Sequence, residues 1–98
     1  MNRIKELLEN KTIFFGYMGE TYTVKNGASI FLRDILYSIK YYYRLKDIEL
    51  KYSEAENLAI EFTKILETEN ELIGLNHKTW KVNFNTKPHT LNEIRKQN

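Results

Sequence analysis

The sequence predicts one mixed α+β domain: an antiparallel sheet built from two β-hairpins (about four strands) packed against two main helices, with short N- and C-terminal helices, in the order α-ββ-α-α-ββ-α. Three observations lead there. Segments 29–46 and 53–69 repeat apolar residues at helical spacing. Segments 12–25 and 72–85 are rich in aromatic and β-branched residues around turn signals. A length of 98 residues suits a single core. The domain is expected to span residues 1–86, with 87–98 a basic C-terminal tail.

Taken in order, residues 2–10 place Ile4, Leu7 and Leu8 on one stripe, a short helix that needs something to pack on. Residues 12–25 read as a hairpin. Thr12 to Tyr17 is aromatic and β-branched, Met18-Gly19 turns, and Tyr22 and Val24 share a face. Asn26-Gly27 is a second turn signal. Ser29 is expected to cap the helix over 29–46, whose core face gathers Phe31, Leu32, Ile35, Leu36, Ile39, Tyr42 and Tyr43. Ser53-Glu54-Ala55-Glu56 fits a capping box opening a helix that runs to about Glu69. Its apolar face is Ala55, Leu58, Ala59, Phe62, Ile65 and Leu66. Glu56, Ile60, Glu61, Thr63, Lys64 and Glu67 are expected outside. Leu72 to Leu75 and Thr79 to Asn85 form the second hairpin, with Trp80, Val82 and Phe84 alternating inward. Thr90-Leu91-Asn92-Glu93 matches another capping box, so 91–97 reads as a final short helix.

This order loosely resembles a winged-helix domain, in which three helices precede a terminal hairpin. The resemblance implies that residues 53–69 would read DNA. The outer face of that segment is acidic, however, and carboxylates repel phosphates.

Composition narrows the chemistry. There is no cysteine, which excludes disulfides, thiolate catalysis and cysteine-type zinc sites. The first residues lack the apolar run of a secretory signal, and no stretch has the length of a membrane span, so a cytoplasmic location is expected. An abundance of Asn, Lys, Ile, Tyr and Glu is the bias of an AT-rich coding sequence and points to a low-GC bacterium or one of its phages. Two His, two Asp and three Ser, with no P-loop, G-x-S-x-G elbow or H-E-x-x-H, leave no catalytic set. His77 falls in a hairpin turn and His89 in the tail. No cofactor and no metal are expected, because the glutamates of 54–71 lack the pattern of a calcium loop.

The net charge is +2, unevenly spread. Residues 53–75 carry one Lys against six Glu, and residues 76–98 carry five Lys/Arg against one Glu. Opposite the core face of 29–46, Arg33, Tyr37, Lys40, Tyr41 and Arg44 form a stripe of cations and phenol rings. Such a face suits a protein partner, because Tyr and Arg concentrate at hot spots, or a nucleic acid, through charge and stacking. A second, acidic candidate face carries Glu56, Ile60, Glu61 and Glu67. The expectation is a non-enzymatic phage- or prophage-type inhibitor, anti-CRISPR-like in profile, that engages a host nuclease or nucleic-acid complex through charged helix faces. The alternatives are a small DNA- or RNA-binding regulator and an assembly subunit that forms a homodimer.

Overall fold

A computed structural model describes residues 2–84. Four helices and a three-stranded antiparallel sheet follow one another as α1 (Arg3–Glu9), α2 (Lys11–Met18), β1 (Ser29–Phe31), α3 (Leu32–Arg44), α4 (Tyr52–Thr68), β2 (Leu72–Asn76) and β3 (Thr79–Val82). The mixed α+β class is as expected; the sheet has three strands rather than four. The tail 87–98 and the helix expected over 91–97 lie outside the described residues.

Asn2 opens α1: its side-chain oxygen accepts from the backbone N–H groups of Ile4 and Lys5 at 3.1 and 3.3 Å. Asn10 closes that helix and directly precedes α2, so the two form a jointed pair. Here the structure corrects the sequence reading, because Lys11–Met18 is a helix and not the first strand of a hairpin. Phe14, Phe15 and Met18 are spaced i, i+1, i+4, share one helical face and are all buried. Ile13 and Tyr17 lie on the solvent side, so the segment is apolar all round and its period is masked. Tertiary burial overrides the strand preference of its residue types. Tyr22 and Val24 still pack on the core, but from irregular chain.

The turn at Asn26-Gly27 forms, with Gly27 at φ 90°, and leads into β1. Residues 29–31 therefore begin no helix. Ser29 is not a cap, because Ile30 pairs with Trp80 of β3 and the helix starts at Leu32. The sheet order is β1-β3-β2, both pairings antiparallel. Ile30, Leu72, Trp80 and Val82 face inward, toward the helices. Phe31, expected in the core, is the last strand residue and is half exposed.

Both long helices end in left-handed residues that are not glycine. Asp47 and Asn70 each sit at φ 62°. After α4, the Glu71 N–H donates to Leu66 O at 2.9 Å and the Asn70 N–H to Glu67 O at 3.0 Å, a Schellman closure. After α3, the Ile48 N–H donates to Tyr43 O at 2.9 Å. The start of α4 is two residues earlier than the Ser53–Glu56 box implies: Lys51 is the N-cap, and the Glu54 carboxylate accepts its backbone N–H at 2.9 Å. Thr63, expected outside, is buried; its hydroxyl reaches Ala59 O at 2.9 Å.

Between the helices lies an aromatic interior. Phe14 meets Phe15, Tyr42 and Phe62 edge-on at ring distances of 5.2, 5.8 and 5.4 Å. Edge-to-face pairs of this kind each add about 0.5–1.5 kcal/mol beyond area burial. Tyr43 is buried to its hydroxyl, which donates to Arg3 O at 3.2 Å and to a Glu6 carboxylate oxygen at 3.1 Å, tying α3 to α1. Burial, then the charge and hydrogen bond of Glu6, push its phenol well above the ordinary tyrosine range. Lys11 ties α2 to the corner after α4, with its ammonium 2.6 Å from Glu71 and 3.5 Å from Glu69. Burial would lower the pKa of that ammonium; Glu71 and then Glu69 outweigh it and hold it above the ordinary lysine value.

Candidate interaction surface on α3

Thirteen residues of α3 put Ile35, Leu36, Ile39, Tyr42 and Tyr43 inside and leave the opposite side to solvent. Asp34 places an acidic side chain in the first turn, where it suits the positive end of the helix. Burial raises the pKa of its carboxyl, against the opposing pull of the nearby Phe31 backbone and of Arg33. From there Arg33, Tyr37, Tyr41 and Arg44 stand exposed and Lys40 half-buried. Their spacing of four, three, one and three residues keeps all five on one side of the rod.

The stripe is wider than its own helix. Tyr41 meets Tyr17 of α2 edge-on at 6.4 Å, and Tyr37 meets Tyr52 of α4 edge-on at 6.3 Å. Tyr52 and Phe31 in turn line a groove of about 520 Å³ with Leu32, Arg33, Asp34, Leu36, Glu56 and Lys78. A ribbon of rings, Tyr17, Tyr41, Tyr37, Tyr52 and Phe31, therefore crosses the surface from α2 to the end of β1. The five are 37%, 44%, 46%, 50% and 50% exposed. Two of these rings pair across α2 and α3 and two across α3 and α4, and Tyr52 and Phe31 share the groove with Arg33 and Lys78.

The cations remain available. The Arg44 guanidinium lies 3.5 Å from Glu49, with both side chains largely in water, and pairs so exposed hold weakly. Arg33 and Lys78 stand at the groove with Asp34 and Glu56, so both signs of charge meet at that end of the ribbon. Tyr rings bring large contact area at little conformational cost, and Arg adds directional hydrogen bonds.

The acidic set of α4 is more dispersed. Glu56 belongs to the groove. The Glu67 carboxylate packs over Gly74 of β2, where a side chain would collide with it. Ile60 is 39% exposed, and Glu61 sits on the far flank of the helix. Glu69 and Glu71 are held by Lys11. The structure thus joins Glu56 to the α3 stripe and separates Glu61 and Glu67 from it.

Comparison with protein families, with curated proteins and with solved structures found no match for this chain. The geometry alone carries the functional reading.

Three ribbon members escape the sequence pattern, each for a local reason. Tyr17 sits in a segment that reads as strand, Phe31 projects with the core residues of a helix it does not join, and Tyr52 precedes the apparent capping box. Exposed His77 lies in the turn between β2 and β3, as expected, and His89 lies outside the described residues. Among the described residues no group of three or more His, Cys, Asp or Glu could hold a metal ion, and no helix is long and apolar enough to cross a membrane.

Proposed function

We propose that this chain is a non-enzymatic binding protein that docks onto a protein partner through the aromatic–cationic ribbon of α3. The observation that carries this reading is the exposed series Tyr17, Tyr41, Tyr37, Tyr52 and Phe31 interleaved with Arg33, Lys40 and Arg44. The partner chemistry that fits is a surface with apolar recesses ringed by carboxylates. Tyr rings fill the recesses, guanidinium groups fork onto the carboxylates, and the rim excludes water. Small size, the phage-like composition and the two charge signs suit an inhibitor acting in a host cytoplasm on a nuclease or other nucleic-acid-processing protein.

A second reading is favoured by one observation. Helices α2, α3 and α4 precede the hairpin β2–β3, the order of a winged-helix regulator. The acidic exterior of α4 works against phosphate contact there, so a nucleic acid would have to lie along α3 instead.

Affinity capture from a bacterial lysate separates the two. The full chain and a Tyr37→Ala/Tyr41→Ala variant serve as baits, each with and without nuclease treatment. Recovery of a protein by the full chain alone, unaffected by nuclease, is the expected result. Recovery that nuclease abolishes and that falls steeply with salt moves the assignment to the regulator. Equal recovery by both baits removes the ribbon from the mechanism.

A further inference from the structure

The groove at the start of α3 gathers charges that the fold itself leaves unpaired. Two elements each bring it a ring and a charge. From α4 come Tyr52 and Glu56, one turn apart on the same helical face. From the end of the sheet come Phe31 and Lys78. Arg33 and Asp34, in the first turn of α3, complete the charged lining. The backbone of Lys78 is tied at both ends. Its carbonyl accepts the Leu32 N–H at 2.9 Å, and its own N–H donates to Asn76 Oδ1 at 2.9 Å. The ammonium therefore hangs from an anchored turn. Among the described residues, ion pairs form at Lys11, Arg44 and Lys46, and none includes Arg33, Asp34, Glu56 or Lys78. Two cations and two carboxylates thus line one groove without closing on each other. Asp34 is half-buried, and its raised carboxyl pKa marks hydration already lost, which an incoming cation would offset.

We infer that this groove binds a short peptide segment carrying a basic side chain at one end and a carboxylate at the other. The inference rests on the α3 docking reading in one respect, that the segment belongs to the docked protein. Charge selects the ligand class. A phosphate would meet Arg33 and Lys78 but also Asp34 and Glu56, and a purely basic segment would meet the reverse. A segment bearing both signs can set each of the four against its opposite. The rings favour arginine at the basic end, because a guanidinium can stack on Tyr52 while it forks onto Glu56. The carboxylate end takes Arg33 and Lys78. At about 520 Å³, the groove is in the range of sites that enclose a ligand larger than a single amino acid.

Nuclear magnetic resonance titration of the isotope-labelled full chain tests this with capped four-residue peptides. The probes are Arg-Ala-Ala-Asp and the reversed Asp-Ala-Ala-Arg. The controls are Gln-Ala-Ala-Asp, Arg-Ala-Ala-Asn, their reversed counterparts and adenosine monophosphate. The expected result is that one doubly charged order shifts the amide signals of Phe31, Arg33, Asp34 and Lys78. It should bind about tenfold or more tightly than either half-neutralised version, the scale of a charge-assisted hydrogen bond. Glu56→Gln should erase the advantage of Arg over Gln in the peptide, and Arg33→Gln/Lys78→Gln that of Asp over Asn. Absence of any shift at about 5 mM, past the millimolar end of the affinity scale, overturns the inference. So does equal binding of the half-neutralised peptides, or tighter binding of adenosine monophosphate at the same signals. The peptide comparison is made on the wild type, so it decides even where a variant fails to fold. Tyr37 and Tyr41 do not line the groove, and Tyr37→Ala/Tyr41→Ala should bind the peptide as the wild type does. Loss of lysate capture with peptide binding intact therefore counts against the ribbon alone, and the converse against the groove alone.

Discussion

Two populations of aromatic residue divide this small domain. Phe14, Phe15, Tyr42, Tyr43 and Phe62 lie within the core, ring against ring. Tyr17, Phe31, Tyr37, Tyr41 and Tyr52 lie across its surface, also in ring contact at two points. On α3 the two sets are neighbours in sequence: Tyr41 faces water and Tyr42 does not. The same residue type thus does two jobs, separated by 100° of helical rotation. Inside, edge-to-face contacts hold helices together. Outside, rings stay half open, which leaves much of their apolar area to be covered by something else.

The comparison sharpens or fails at four points. Phe14→Ala should cost most, about 3–5 kcal/mol in urea denaturation, because a buried ring leaves a cavity among Phe15, Tyr42 and Phe62. A cost near that of a surface substitution would mean the interior cluster is not the organising contact.

Tyr43→Phe comes next, at about 1–2 kcal/mol near neutral pH, since it removes the hydroxyl shared by Arg3 O and Glu6. It carries a pH signature. The Tyr43 phenol keeps its proton in the folded chain beyond the pH at which an unfolded tyrosine releases it. Above about pH 10 the folded state therefore binds more protons than the unfolded state. The stability from this group is complete below that pH and is lost as pH rises. Denaturation midpoints at about pH 8 and pH 10.5 should converge for wild type and variant. A gap that widens would reverse the assignment.

Lys11→Gln should cost less, up to about 1 kcal/mol, because its partners are only partly shielded from water. The difference should shrink in concentrated salt, which screens the pair. The raised ammonium pKa has the same sign as Tyr43: the contribution is full below the ordinary lysine value and lost as pH climbs past it.

Smallest on stability are Tyr37→Ala and Tyr41→Ala, at less than about 1 kcal/mol each by thermal unfolding. Their effect on a bound protein should be larger, more than about 2 kcal/mol if the ribbon holds the hot spot. Losses in stability approaching that of Phe14→Ala would make the ribbon a structural feature and not a docking one.

How much of this was legible depended on whether a segment has one apolar side. The helices α3 and α4 and strand β3 each do, so periodicity finds them and finds the Arg33–Arg44 stripe by subtraction. In α2, Ile13 and Tyr17 oppose Phe14, Phe15 and Met18, and no period survives. Strand β1 is three residues long, too short to display alternation, and its identity comes from the ladder to β3, a long-range contact. The ribbon was half visible for the same reason. The members on α3 follow from one helix's pattern; Tyr17 and Tyr52 join only because tertiary packing brings α2 and α4 alongside.

The ion pair between Lys11 and Glu71 joins positions 60 residues apart, and Phe14 likewise waits for Phe62. During synthesis, the first two helices can rest on α3 but lack their second wall until α4 has been translated. A nascent chain halted in α3 would hold Phe14 and Phe15 open to water, a sticky intermediate in the hands of chaperones. Emergence of α4 is therefore the event that seals the fold.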